Sequence, residues 1–131
     1  MAEQRAERPL SPHLGIYRFS ITMAMSIVHR ITGAALYFGT LLLVWWLLAA
    51  ATSTKQFDLV SAFFASWFGK IVLFGYTWAL LHHMLGGIRH LIWDTVHGLE
   101  PGEREFLAWA TIVGSVVLTI AIWALGYALK G

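Results

Sequence analysis

The segment Leu81–Asp94, LHHMLGGIRHLIWD, brings histidines, paired glycines, an arginine and an aspartate into or to the edge of an otherwise apolar stretch. Ionisable side chains are costly inside a bilayer, so a functional role is their first explanation. On a helix, residues three or four positions apart share a face. The pattern therefore aligns four residues of the segment in one stripe: His83, Gly87, His90 and Asp94.

This segment overlaps the second of three long runs without charge, residues 31–54, 71–88 and 106–129. Each run approaches or exceeds the roughly 18–20 residues that cross a hydrocarbon core. The composition agrees, because 58% of the chain is hydrophobic and only 12% is charged. The sequence therefore predicts an all-α membrane protein of one domain, residues 1–131, with three transmembrane helices at about 28–51, 67–95 and 106–129.

Several classes of protein are excluded by composition. The chain has no cysteine, which rules out disulfides, thiolate metal sites and cysteine-ligated iron–sulfur clusters. A net charge of +2 is too small to indicate a nucleic-acid partner. The polar head of the sequence contains Glu3 and Glu7, so neither a cleavable signal peptide nor a transit peptide is expected.

The basic residues predict the orientation in the membrane. Six arginines fall on the side of the N-terminus, and Lys55, Lys70 and Lys130 fall on the other side. The positive-inside rule places the side with more basic residues in the cytoplasm. We therefore expect a cytoplasmic N-terminus, with residues 1–20 as an extended arm, and a C-terminus on the outside.

The connections between the spans are predicted from their polar and helix-breaking residues. Residues 52–58 are predicted as a polar loop, followed by an apolar interfacial helix at 59–68. Residues 97–102 contain two glycines and a proline and are predicted as a break. The third spanning helix is expected to begin near Glu103.

His83 is a candidate axial ligand for haem iron. Imidazole supplies the iron bond, and Gly86 and Gly87 leave room for a flat, bulky ring system. The alternative is a histidine that hydrogen-bonds to a neighbouring helix, which is common in membrane bundles. His82 is the rival ligand, but it points about 100° away around the helix. The glycine-bearing face favours His83.

His90, together with Arg89 and Asp94, forms a second candidate group. His90 follows His83 by seven residues, or about 10 Å along a helix axis. That distance is comparable to the reach from haem iron to the haem propionates, so a donor here suits a propionate. The alternative is plain interfacial anchoring, in which the arginine extends to lipid headgroups.

Ser26 and Arg30 are four residues apart on the predicted first helix and face the same way, with Gly33 three residues later. A hydroxyl and a guanidinium at the membrane edge suit hydrogen bonds to the carbonyl oxygens of a quinone. The alternative is topological anchoring by Arg30, with Ser26 at the start of a helix. Anchoring is the simpler interpretation of these residues alone.

Three motifs together resemble the cytochrome b membrane-anchor subunits of succinate dehydrogenase, complex II, of the mitochondrial and related bacterial type. They are RPLSPHLGIY (Arg8–Tyr17), SIVHRITG (Ser26–Gly33) and HMLGGIRHLIWD (His83–Asp94). The motifs extend over about three quarters of the chain, and the three-span layout matches the rest. The combination is specific, whereas each motif alone is not.

The resemblance implies a fold and a set of partners. Three helices would pack against a second hydrophobic anchor subunit, with one haem b between them and one histidine ligand from each chain. The pair would hold an iron–sulfur subunit and a flavoprotein subunit on the bilayer. Succinate would be oxidised in the flavoprotein, and electrons would pass to ubiquinone. This chain would then be a subunit of an enzyme and not an enzyme alone.

The resemblance also implies roles for individual residues. His83 would be the haem ligand and His90 would lie beside the propionates. Ser26 and Arg30 would contribute to the ubiquinone site, and His29 would lie close to both propionate and quinone. The lack of a transit peptide favours the bacterial inner membrane over a mitochondrion.

A cytochrome b that binds haem with two histidines of its own is the main alternative. It needs a second ligand at the depth of His83. The third span has no histidine, and His29 is expected level with His90 instead. The alternative is therefore disfavoured, as are an anchor that has lost its haem and a channel or transporter.

Overall fold

The computed structural model describes Ile16 and residues 18–131. Within these residues lie four α-helices: α1 at Ile21–Thr52, α2 at Thr54–Ala65, α3 at Trp67–Asp94 and α4 at Pro101–Lys130. Three of them, α1, α3 and α4, have 32, 28 and 30 residues and are long and apolar enough to cross a membrane. The prediction of an all-α membrane protein with three spanning helices is confirmed. Most of the predicted arm, residues 1–15 and 17, lies outside the described residues.

Helix α3 packs against both α1 and α4. Along the α3–α4 interface, Leu85 meets Gly114, and Trp123 Nε1 donates to Thr77 Oγ1 at 3.2 Å. Residue numbers therefore rise on one helix as they fall on the other, so the two helices are antiparallel. As a result, the end of α3 and the beginning of α4 lie at the same end of the bundle. The beginning of α1 lies there too, because Thr22 and Trp93 line one cavity.

The interior is built from small residues and hydroxyls. Ala79 and Ala108 are buried, and so are Thr111, Ser115 and Thr119 on one face of α4. Each of the three hydroxyls donates to a carbonyl of its own helix at 2.7–2.9 Å. Small side chains and satisfied hydroxyls let membrane helices approach closely.

Two serines organise the connection from α1 to α3. Ser53 ends α1 and caps α2, and its side chain accepts the Gln56 N–H at 3.2 Å. Ser66 ends α2 and caps α3 by accepting the Gly69 N–H at 3.1 Å. The predicted loop at 52–58 is therefore wrong, because α2 begins at Thr54. The expected helix in this connection ends at Ala65, earlier than the predicted residue 68.

The connection from α3 to α4 covers residues 95–100. Val96 and Gly98 adopt positive φ angles of 62° and 72°, which reverse the chain. Helix α4 begins at Pro101, slightly before the predicted Glu103, because a proline is well tolerated in the first turn of a helix. The Glu103 carboxylate accepts the Glu100 N–H at 3.4 Å, which completes a capping box.

Candidate functional site

Three of the predicted histidines meet where α1 crosses α3. The rings of His29 and His83 are stacked, with centroids 4.0 Å apart and planes 7° from parallel. The ring of His90 lies 5.5 Å from that of His29 in a tilted arrangement. His29 thus contacts the rings of both His83 and His90 of α3.

Two glycines make this close crossing possible. A Cβ atom on Gly33 of α1 would lie 3.1 Å from Cε1 of His83. A Cβ atom on Gly86 of α3 would lie 2.6 Å from Nδ1 of His29. Each ring therefore lies over a glycine of the opposite helix. The expectation that Gly86 leaves room for haem is wrong, because His29 fills that space, whereas Gly87 has no atom within 4 Å of an added Cβ.

The hydrogen bonds of His83 determine which of its two ring nitrogens keeps a lone pair that could bind a metal. Its Nδ1 lies 3.2 Å from the carbonyl oxygen of His29 and 3.3 Å from Oγ1 of Thr32. A carbonyl oxygen only accepts, so Nδ1 carries the proton and donates. Nε2 then keeps its lone pair, and among the described residues it has no hydrogen-bond partner.

These hydrogen bonds fit both interpretations of His83 drawn from the sequence, a haem ligand and a histidine that bonds to a neighbouring helix. The side chain does bond to a neighbouring helix, but only through Nδ1. A metal-binding histidine commonly donates its other ring N–H to a backbone carbonyl, which fixes the tautomer and the ring orientation. His83 therefore has the hydrogen bonding of a metal ligand that binds through Nε2.

His82 has a different environment. It is 2% exposed, and its Nδ1 lies 3.1 Å from Oγ of Ser115. The Ser115 hydroxyl donates to the carbonyl of Ile112 at 2.9 Å, so His82 Nδ1–H is the donor in the pair. This bond joins α3 to α4, on a different side of α3 from the histidine crossing.

The expected level of His29 needs correction. It was expected beside His90 and away from His83, yet its ring is closer to that of His83. The α1–α3 crossing brings them together because both helices carry a glycine there. The two rings lie face to face, with their planes 7° from parallel.

A cavity of about 330 Å³ opens beside the histidines, at the end of the bundle where α1 begins. Candidate residues of α1, namely Ser26 and Arg30, and of α3, namely Arg89 and His90, line the same cavity. Its lining consists of Thr22, Ser26, His29, Arg30, Arg89, His90 and Trp93. Two arginines and two histidines contribute to this wall and none of the described lining residues is acidic, so the cavity suits an anionic or hydrogen-bond-accepting ligand.

Arg89 is the most deeply buried residue of the wall. Its side chain is only 4% exposed, and its guanidinium lies 5.1 Å from the ring centre of Trp93, a cation–π contact. Its Nε and Nη1 are buried and have no partner among the described residues. Arg89 is thus not the lipid-facing anchor considered from the sequence. Asp94, expected to share the stripe, is exposed and does not line the cavity.

Sequence reasoning missed several residues of this region. Thr32 is 1% exposed and contacts His83, and Ser115 pairs with His82. Both contacts join residues more than 30 positions apart, so helical periodicity alone does not reveal them. The spacing of Thr32 three residues after His29 was the one local signal, because residues so spaced share a face.

Comparison with known proteins identifies the same family by a family model and by individual relatives. The family model described as succinate dehydrogenase/fumarate reductase transmembrane subunit matches residues 4–122. The chain is 47% identical over 116 residues to a succinate dehydrogenase cytochrome b556 subunit of Paracoccus denitrificans, covering 88% of this chain and 89% of the relative.

Similarity extends to other bacteria and to mitochondria. A cytochrome b556 subunit of Rickettsia conorii is 38% identical over 117 residues, which cover 89% of this chain and 91% of the relative. A mitochondrial cytochrome b560 subunit of Sus scrofa is 42% identical over 125 residues, covering 92% of this chain and 72% of the relative. The match includes both helices that form the histidine crossing.

Proposed function

This chain belongs to the succinate dehydrogenase/fumarate reductase transmembrane subunit family, and we propose that it is the haem b-binding anchor of a succinate:ubiquinone oxidoreductase. Its relatives are named cytochrome b subunits of succinate dehydrogenase. In this proposal the chain binds haem b through His83 and forms part of a ubiquinone site through Ser26 and Arg30.

The observation that carries the proposal is the hydrogen bonding of His83. Its Nδ1–H is held by α1, and Nε2 is left with a lone pair. The chemistry of this donor fits a ligand of haem iron, and haem b would supply a one-electron redox centre there. In this proposal the chain contributes one imidazole nitrogen to a haem that it shares with a second anchor subunit.

The cavity beside His83 fits the acidic edge of a haem. Arg89 has two buried guanidinium nitrogens without partners, and Nδ1 of His29 is buried without one as well. With His90 in the same wall, these groups supply positive charge and N–H donors. We propose that His90 and His29 lie next to the propionates, as the family resemblance implies, and that Arg89 adds to the positive field there.

Ser26 and Arg30 occupy the outer part of the same cavity, and both are exposed in the chain alone. A hydroxyl and a planar guanidinium donate hydrogen bonds to carbonyl oxygens. In this proposal the first turns of α1, which carry both residues, lie at the membrane edge. There a quinone ring can meet both the bilayer and a peripheral redox subunit.

The surface of the chain suits a partner as well as lipid. Large apolar side chains are exposed on every spanning helix, including Phe38, Leu91 and Val117. We propose that part of this surface packs against the second hydrophobic anchor subunit, and that the two chains hold the iron–sulfur and flavoprotein subunits on the cytoplasmic face. Bacterial relatives support placement in the bacterial inner membrane.

The experiment that tests the proposal is an absorption spectrum of the complex purified through this chain. The complex is measured as isolated and after reduction with dithionite, and its subunits are identified. A reduced b-type spectrum and co-purification of flavoprotein, iron–sulfur and second anchor subunits are expected. A fully assembled complex without haem, or a haem-containing chain without those subunits, would overturn the proposal.

A further inference from the structure

We propose that Thr32 is a positioning residue for His83. The carbonyl of His29 already fixes the tautomer of His83, and the Thr32 hydroxyl is a second acceptor of the same Nδ1–H that helps to orient the imidazole and raises its donor strength toward a metal. This inference rests on the proposed function, namely that His83 binds haem iron through Nε2. It concerns a residue that makes no direct contact with haem in the proposal.

The direction of each hydrogen bond follows from the geometry. Thr32 Oγ1 lies 3.0 Å from the carbonyl oxygen of His29, and only the hydroxyl can donate in that pair. The hydroxyl proton is thereby used, and the oxygen lone pairs remain for Nδ1–H of His83 at 3.3 Å. The same N–H lies 3.2 Å from the carbonyl of His29. Three groups thus form a closed triangle of hydrogen bonds.

Burial makes this triangle a fixed part of the structure. Thr32 is 1% exposed, so water does not compete for its hydroxyl. A β-branched side chain has few rotamers in a helix, and its bond to the carbonyl three residues earlier selects one of them. The oxygen is therefore held in place before a ligand binds to His83.

The hydrogen bonds of two other buried threonines differ from those of Thr32. Thr111 and Thr119 also donate to carbonyls of their own helix, at 2.8 and 2.7 Å. No hydrogen bond joins either of them to a histidine within the described part of the chain. Hydroxyls that only bond back to their helix serve packing. Thr32 has the additional contact across the helix interface, to the ring of His83.

The physical consequence concerns the electron density on Nε2. Acceptors at Nδ1–H make the imidazole a stronger donor to the metal, and loss of such partners typically weakens metal binding about 10- to 100-fold. A stronger donor stabilises the oxidised iron more than the reduced iron. Removal of the Thr32 oxygen should therefore move the midpoint potential of the haem to more positive values and should loosen the haem.

The test uses the whole complex with three variants. Thr32→Val removes the hydroxyl at nearly constant shape, and Thr32→Ser keeps it. Thr119→Val removes a buried hydroxyl that does not touch His83. The measurements are the redox midpoint of the haem, the g values of its low-spin electron paramagnetic resonance signal, and the rate of haem transfer to an excess of apomyoglobin.

We expect Thr32→Val to show a more positive midpoint, shifted g values and a haem transfer rate that is several-fold higher; the increase should stay below the roughly tenfold or larger effect of losing every acceptor, because the carbonyl of His29 still accepts the Nδ1–H. Thr32→Ser and Thr119→Val should resemble the parent complex. Equal behaviour of Thr32→Val and Thr119→Val in all three measurements would overturn the inference. If Thr32→Val does not assemble, the pair Thr32→Ala and Thr119→Ala is measured and judged by the same criteria.

A fourth variant separates this inference from the proposed function. His83→Leu should abolish the low-spin haem signal. If that signal survives unchanged in His83→Leu, the proposed function fails, and this inference fails with it. If the signal is lost in His83→Leu but Thr32→Val behaves like Thr119→Val, only the role of Thr32 fails.

Discussion

The imidazole of His29 lies flat against that of His83, at a centroid distance of 4.0 Å, across the contact between α1 and α3. The same two residues are joined again through the backbone, because the carbonyl of His29 accepts the N–H of His83 at 3.2 Å. His29 thus contacts His83 both by stacking and by a hydrogen bond. The α1–α3 crossing determines the orientation of the proposed ligand, so substitutions on α1 should affect haem properties.

The first prediction separates the two adjacent histidines. His83→Leu should lose the low-spin signal of the reduced and oxidised haem, either by haem loss or by conversion to a high-spin form. His82→Gln should keep that signal, because His82 bonds to Ser115 and not to the crossing with α1. Spectra of the two variant complexes, normalised to flavin content, are the measurement. Loss in His82→Gln with retention in His83→Leu would reverse the assignment.

The second prediction concerns the glycine beneath His29. In Gly86→Ala the new methyl group would lie 2.6 Å from Nδ1 of His29, so the ring must move or the helices must separate. Overpacking of this kind typically costs about 1–3 kcal/mol. The haem signal of the variant complex should be lost at a lower temperature than in the parent, as followed by absorbance during heating.

Gly75→Ala is the matched control for that experiment. Gly75 lies on the same helix, and an added Cβ there meets no atom within 4 Å. The control should retain haem as the parent does, since alanine is also the better helix former. Equal loss of thermal stability in both variants would show that any added methyl group on α3 is harmful, which would contradict the specific role of Gly86.

The sequence predicted the spanning helices well, because their signal is local. Length and the absence of charge are sufficient to identify a membrane span. The caps by Ser53 and Ser66 were missed, since serine occurs in loops as readily as at helix starts, and α2 was therefore predicted in part as a loop.

The site was predicted less completely, for a physical reason. The stripe on α3 identified His83 and His90. Contacts between helices, however, depend on how closely the helices approach each other, which the sequence does not show. Gly33 and Gly86 allow a close approach of α1 and α3 that brings His29 to His83. The sequence shows both glycines but does not show which side chain of the opposite helix occupies the space beside each of them. For Arg89 the sequence left two interpretations open, a candidate group with His90 and an interfacial anchor, and the structure shows that it stacks on Trp93 and lines the cavity.

The third prediction concerns orientation in the membrane. Lys55 at the start of α2 and Arg104 at the start of α4 lie at opposite ends of the bundle, and the excess of basic residues predicts that Arg104 is cytoplasmic. Single cysteines at these positions can be labelled specifically, because the chain has no cysteine. An impermeant thiol reagent added to the periplasmic side should label position 55 and not position 104. Labelling of both from one side would contradict the three-span arrangement.

The last prediction assigns Ser26 and Arg30 to quinone reduction and not to assembly. Ser26→Ala removes a hydroxyl donor, and Arg30→Lys keeps the charge but removes the planar fork of N–H groups. One hydrogen bond between neutral groups contributes about 0.5–1.5 kcal/mol, and one from a charged group contributes more. The affinity for ubiquinone should therefore fall roughly 2- to 10-fold in Ser26→Ala and further in Arg30→Lys.

Two assays on the same membranes measure this effect. Succinate oxidation is followed once with ubiquinone and once with a dye that takes electrons from the soluble subunits. The ubiquinone reaction should show a raised KM while the dye reaction is nearly unchanged. Arg104→Lys is the control, because Arg104 is exposed and does not line the cavity. Equal losses in both assays would indicate failed assembly instead, and unchanged ubiquinone kinetics in both variants would remove Ser26 and Arg30 from the quinone site.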